Sequence, residues 1–289
     1  AAAAAAAAAA ANALMRVSIT HRTRYRYSTE VIESQMELRL RPWDGPGQRV
    51  HDFRLDVRPA ARVRTYVDGL GNHVQHFNRL EPHDELAIVS RSTVETWPAE
   101  AAPSRDLVPS DLLLFRPPVL STAAVRRLAR RARLHESGSP HDLLAALDRI
   151  SDLVASTLTY MPDVTTVSSD VEEVLKLGRG VCQDFAHVFI AVARTVGIPC
   201  RYVSGYVAPE PAEPYVGASH AWAEAWVPGR GWRAYDPTHP GLPAELYIRL
   251  AVGRDYRDAA PTRGVFVGPA ASAMEASVEI RPEPAHRAG

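Results

Sequence analysis

The sequence predicts an α+β protein: an N-terminal antiparallel β-sandwich, then helices packed on a second antiparallel sheet. Period-two alternation of apolar and polar residues runs through positions 17–96, as strands with one buried face require. Helical periodicity replaces it after a proline-rich break, and further alternating runs follow the helices.

In chain order, an alanine run ending in Asn12-Ala13-Leu14 comes first. It lacks the basic, apolar and cleavage regions of a signal peptide, so residues 1–14 are expected to be a tag or unassigned residues, with the native chain starting at Met15. A cytoplasmic location is the default expectation. Val17–Tyr27, Gln35–Arg41, Phe53–Val57 and Ala87–Glu95 alternate as strands, and Gly69-Leu-Gly-Asn72 is a turn between Val63–Val67 and Val74–Phe77. Residues 15–97 are therefore read as the sandwich domain. His73 and His76, three apart in a strand, should face opposite ways and serve as solvated or interfacial residues. Prolines 98, 103, 109, 117 and 118 mark residues 98–119 as a linker. Thr122–Leu134 carries an apolar stripe of Val125, Leu128 and Ala132 beside arginines on a solvated face. His141–Leu158 is an amphipathic helix, and Ser169–Leu175 a short capped one. Residues 120–282 make the second domain, with C-terminal strands, and 283–289 a tail.

Composition limits the function. The 289 residues are 46 % hydrophobic, and Lys+Arg 33 balances Asp+Glu 33. A net charge of zero argues against nucleic acid or an anionic membrane as partner. No apolar run reaches the ~18 residues of a spanning helix. Two cysteines make no disulfide scaffold. No zinc-ligand pair on a helix, EF-hand loop or glycine-rich phosphate loop occurs, so neither metal nor cofactor is expected.

The chemistry concentrates between Gly178 and Thr238. Gly178-Arg-Gly180-Val-Cys182 feeds a helix whose stripe (Val181, Phe185, Val188, Phe189, Val192, Val196) ends at Gly197. Cys182 falls in its first turn, where free N–H groups and the helix dipole favour an anion, and the thiolate is the nucleophilic form of cysteine. Taken alone, Cys182 fits a small buried residue better. Arg201–Val207 and Ser219–Val227 read as strands, the second placing His220, Trp222, Glu224 and Trp226 on one face opposite a row of alanines. Asp236 ends the next strand after a Pro228–Gly231 turn. A thiol, an imidazole and a carboxylate are the parts of a Cys–His–Asp triad, in which His moves the proton and Asp holds its tautomer. For His220 and Asp236 to share a face, the intervening loop must have odd length, centred on Pro228 or Gly229, or carry a bulge. The second oxyanion donor, after the Cys182 N–H, is expected from the Tyr160 hydroxyl or the Gln183 side chain, with packing the alternative for Tyr160. Trp222, Trp226 and Trp232 fit either an acceptor groove or the core. Asp184 should cap locally, His187 should pack, and Arg254, Asp255 and Asp258 read as a structural charge cluster.

Gly180-Val-Cys182-Gln-Asp-Phe-Ala, Ser219-His220-Ala-Trp-Ala-Glu and Gly231-Trp-Arg-Ala-Tyr-Asp236-Pro-Thr resemble the three motifs of the bacterial transglutaminase-like superfamily, with Cys, His and Asp 38 and 16 residues apart. Val17–Val94 resembles the N-terminal β-sandwich of one bacterial branch, and 252–266 that branch's segment after the Asp motif. The resemblance implies a papain-like core, with nucleophile, base and orienting acid on Cys182, His220 and Asp236. It implies a peptide or protein substrate and a thioester resolved by water (peptidase or amidase) or by a primary amine (transglutaminase-type transfer). A non-catalytic peptide- or protein-binding module on the same fold is the alternative. Cys200 and His239 stand where Ala and Asn are usual, and neither is expected to touch the triad.

Overall fold

The computed structural model describes residues 14–98, 110–132, 139–209 and 215–283. The expected tag therefore lies outside the described residues except for Leu14, as do residues 99–109 of the expected linker, 133–134 of the first expected helix and 284–289 of the tail.

The alternating N-terminal runs form β1 (Met15–Val31), β2 (Glu33–Leu38), β3 (Gln48–Arg58), β4 (Arg64–Val67), β5 (His73–Arg79) and β6 (His83–Thr96). Helices α1 (Ala123–Arg131) and α2 (Pro140–Thr157) follow, the second capped by Ser139, whose hydroxyl accepts the Asp142 N–H. Next come β7 (Thr159–Tyr160), α3 (Val171–Leu177), β8 (Arg179–Gly180) and the central helix α4 (Cys182–Thr195). The chain closes with β9 (Cys200–Val207), β10 (Tyr215–Gly217), β11 (His220–Val227), β12 (Gly231–Tyr235), β13 (Tyr247–Gly253), α5 (Tyr256–Ala259), β14 (Thr262–Val267) and β15 (Ser272–Pro282).

Among the described residues, three antiparallel sheets, ordered β10-β15-β1-β6-β3, β14-β2-β5-β4 and β12-β11-β9-β13, accompany a two-stranded parallel ribbon β7–β8. The first two share a core of Tyr27, Val31, Met36, Leu38, Phe77, Leu86 and Ile88. The third packs on α4: Ala221, Ala223 and Ala225, the small face of β11, lie in one cluster with Phe185, Val188, Phe189 and Val192. Small residues there let the helix approach the sheet closely.

The observed strand pairing differs from the expected organisation in one respect. The C-terminal strands, expected with the second domain, belong by pairing to the N-terminal sheets: β15 pairs with β1 (Ile19 opposite Ile280) and β14 with β2. Strand β1 is long enough to serve two cores, since Val17 and Ile19 pack with the helices while Tyr27 packs in the sandwich. The described end of the expected linker packs on the rest of the chain. Val119 and Leu112 are buried, and Arg194 donates to the Leu114 carbonyl at 2.9 Å.

Candidate active site

Cys182 is the first residue of α4, and its position is set by the turn before it. Gly178 ends α3 in the left-handed region at φ 67°. Tyr160 and Gly180 then pair in the two-stranded parallel ribbon β7–β8. Asp184, third in α4, accepts the Val181 N–H at 2.8 Å and the Thr165 hydroxyl at 2.7 Å, tying the turn down. Gly180 is required here, because a Cβ would lie 2.4 Å from the Asp184 carboxylate. Burial raises the Asp184 pKa, and these two hydrogen bonds oppose the shift.

His220 opens β11, and the Cys182 thiol is near enough to act on its ring. On the other side, His220 Nε2 lies 2.7 Å from Asp236 Oδ2. This leaves Nδ1 as the ring nitrogen available to the thiol. The β11–β12 register is centred on Gly229, with Val227 opposite Gly231 and Ala223 opposite Tyr235, so the loop has three residues and the expected odd parity holds. Asp236, one residue past β12, thereby comes up on the His220 side of the sheet.

The Asp236 carboxylate is held from four directions. Oδ1 accepts the Thr238 N–H at 3.0 Å and the Thr238 hydroxyl. Oδ2 accepts from His220 and from the Tyr247 hydroxyl at 2.9 Å, and His239 Nδ1 lies 3.3 Å away. Burial would raise the pKa of Asp236, but His220, Thr238 and Tyr247 outweigh it and bring the value down to about 2. Burial likewise works against a charged His220. The hydrogen bonds and charges of Asp236 and Cys182 prevail and raise its ring to about 9.

The other sequence-predicted residues divide. Tyr160 is brought to the turn before Cys182, and its ring faces Phe185 at 6.4 Å between centroids. Gln183 is turned away: its Nε2 donates to the Val167 carbonyl at 3.3 Å, so that amide is engaged elsewhere. Trp222 is buried beneath the site, its ring stacked 6.2 Å from His220. Its indole also meets Tyr247 edge-on at 5.1 Å. Trp226 packs on Trp232 at 5.4 Å. His187 is buried against Tyr202, accepts the Tyr256 N–H at 3.2 Å, and is lowered by burial to about 3. Asp255 caps α5 and pairs with Arg257, while Arg254 grips Asp258 at 2.7 Å, the charge cluster the sequence suggests.

Four features escaped the sequence. His239, expected clear of the triad, touches Asp236 and packs edge-on against His220 at 5.0 Å. Tyr247 comes from the next strand and had no motif to mark it. Gly205 pairs with His220 and leaves room for Trp222, whose ring a Cβ would meet at 2.6 Å. Finally, a cavity of about 1170 Å³ runs between the N-terminal sheets and the β11–β13 face, alongside Asp236 and His239. Its floor holds Glu224 between Arg201 (2.7 Å) and Arg249 (3.3 Å), whose guanidinium groups lie over Trp232 and Trp43. Trp222 and Trp232 line this cavity.

Comparison with known proteins agrees with this architecture. The transglutaminase-like superfamily matches residues 129–237, a span containing Cys182, His220 and Asp236, and the bacterial transglutaminase-like N-terminal region matches residues 17–95. An uncharacterized protein of Mycobacterium leprae is 36 % identical over 280 residues, covering 92 % of this chain and 99 % of the relative. One from Mycobacterium tuberculosis is 36 % identical over 297 residues, covering 92 % and 93 %. A solved structure from Cytophaga hutchinsonii, described as a candidate cysteine protease, shares the fold at TM-score 0.73 and 23 % identity, covering 94 % of this chain and 92 % of its own. Motifs, fold and relatives converge, and the chain belongs to the transglutaminase-like superfamily, carrying that superfamily's core behind a bacterial transglutaminase-like N-terminal region.

Proposed function

We propose that the protein is a thiol enzyme acting on amide bonds of a peptide or protein, with Cys182 as nucleophile, His220 as general base and acid, and Asp236 as the residue that orients His220. The observation that carries this reading is the position of His220, whose Nε2 lies 2.7 Å from the buried Asp236 carboxylate, with the first-turn thiol of α4 acting on the same ring. A ring with a pKa near 9 can take the proton of a thiol, whose ordinary pKa is ~8.5.

In this mechanism His220 accepts the thiol proton and the sulfur attacks the amide carbonyl. The developing oxyanion faces the Cys182 N–H, with the hydroxyl of Tyr160, a β7 residue paired with Gly180, as second donor. His220 then passes its proton to the leaving amine, and a thioester remains on Cys182. Water resolves it to an acid, or a primary amine to a new amide. Asp236 keeps the Nε2 proton pointed at itself throughout and so leaves Nδ1 free to serve the sulfur.

The test is intact-mass analysis after incubation with a peptide library, with and without a primary amine. An acyl adduct on Cys182 that is absent from Cys182→Ala supports the reading, and the mass of the released product separates hydrolysis from amine transfer. If the wild-type protein binds peptides but neither turns them over nor forms an adduct, it is a binding module instead.

A further inference from the structure

Two histidine rings converge on one oxygen in this site. His220 Nε2 is 2.7 Å and His239 Nδ1 is 3.3 Å from the same Asp236 Oδ2, and the three donor atoms all lie within 4.8 Å of one another. A carboxylate oxygen is only an acceptor when ionised, so each facing nitrogen carries a proton aimed at it. When those two protons leave, two nitrogen lone pairs face one carboxylate oxygen, with all three donor atoms near enough to close on a single ion. At metal–ligand distances of ~2.0–2.1 Å, the two nitrogen–oxygen separations correspond to ligand–metal–ligand angles of about 80–110°, close to what a four-coordinate ion accepts.

The geometry points to a divalent transition-metal site, with zinc the best fit, built from His220 Nε2, Asp236 and His239 Nδ1, whose occupation arrests the thiol chemistry at Cys182. Two imidazoles and one carboxylate suit zinc, nickel or copper rather than magnesium or calcium. The ligands are preorganised. Asp236 and His239 sit on one turn, closed by the His239 N–H to the Asp236 carbonyl at 3.2 Å. Thr238 and Tyr247 hold the carboxylate from outside, as partners of metal ligands do. The His239 side chain is 51 % exposed and borders the large cavity, which gives an entry path and room for water as a fourth ligand.

The proton balance explains the arrest. In the neutral rings, binding at His220 Nε2 and at His239 Nδ1 exchanges the proton of each bound nitrogen, through solvent, for one on that ring's other nitrogen. His220 is left with its single proton on Nδ1, the nitrogen facing Cys182. With the metal on one nitrogen and a proton on the other, the ring can no longer accept the thiol proton. This inhibitory consequence rests on the function proposed above, whereas the site itself does not.

Calorimetry with Zn²⁺ on the full chain tests the site without activity. Wild type and Cys182→Ala should bind one ion alike, and His239→Asn should bind it more than ~10-fold more weakly. With Co²⁺, the spectrum should lack a thiolate charge-transfer band. Equal affinity in wild type and His239→Asn, loss of binding in Cys182→Ala, or a thiolate band would overturn the site, the last two by moving the metal to Cys182 and His220. Zn²⁺ should also slow iodoacetamide alkylation of Cys182, reversibly with a chelator, and do so much less in His239→Asn. Undiminished alkylation at saturating Zn²⁺ would refute the coupling to the thiol. A chain that binds Zn²⁺ as described but never forms an acyl adduct keeps the site and loses only the enzyme reading.

Discussion

Cys200 provides an internal control for Cys182. It is fully buried, and that burial pushes its thiol up to about 12, so it stays protonated and unreactive. Cys182→Ala and Cys182→Ser should both abolish turnover with an unchanged fold, read by circular dichroism. Cys200→Ala should keep the rate within a few-fold while losing about 1 kcal/mol of stability. His220 and Asp236 set the pH dependence. The His220 pKa is raised from 6.5 to about 9, so its contribution to stability is complete below about 6.5 and is lost as pH rises through 9. Asp236 is lowered from 3.8 to about 2, so its contribution is present above 3.8 and is lost as pH falls through 2. The alkaline limb of the rate profile should therefore lie near pH 9 and belong to the Cys–His pair as a unit. Asp236→Asn should shift that limb toward neutrality and lower kcat less than His220→Ala does. An unshifted limb in a fully active Asp236→Asn protein would remove Asp236 from the mechanism.

Among the elements, β9 and β11 carry the tightest constraint. Gly205 lies opposite His220, and a Cβ there would sit 2.2 Å from the Ile248 carbonyl as well as against Trp222. The first contact is backbone and cannot rotate away. Gly205→Ala should cost about 1–3 kcal/mol, seen as a lower Tm, and should displace Trp222 and hence the ring it supports. A variant as stable and active as wild type would show that β9 yields more easily than this packing implies. The β11–β12 loop was legible from parity alone, since a His and an Asp sixteen residues apart can share a face across a hairpin only if the loop is odd or bulged. The loop centred on Gly229 rather than Pro228 goes with left-handed backbone at both Gly229 and Gly231, φ 71° at each.

Across the whole molecule, the N-terminal sheets act as a clamp on the site. The Asn72 side chain imitates a backbone partner, accepting the Val252 N–H and donating to the Val252 carbonyl, each at 2.8 Å. Gln48 does the same at Arg249, at 2.8 and 3.0 Å. Both grip β13, the strand that presents Tyr247 to Asp236 and Arg249 to Glu224. Asn72→Ala leaves two buried backbone groups unpaired and should cost about 1–3 kcal/mol in denaturant unfolding. A fragment beginning at residue 120 should fail to fold, because β14 and β15 would lose β2 and β1, and the helical core would lose Val17, Ile19 and Val94. A cooperative thermal transition in that fragment would refute the claim.

Local pattern determined much of this protein. The strands, the amphipathic helices, the placing of Cys182 at a helix start and the three motifs are written in spacings of a few residues, and such spacings record which face of an element is buried. Only tertiary structure could decide what meets across elements. His239 joined Asp236 and His220 because a turn and a hairpin bring them together, and no spacing along the chain encodes that approach. Gln183 left the site because its amide found the Val167 carbonyl. The C-terminal strands joined the N-terminal sheets for a related reason. Strand periodicity states that a strand needs partners, but hydrogen bonds between strands are alike in kind, so burial of Val278 and Ile280 beside Val17 and Ile19 selects which edge they complete.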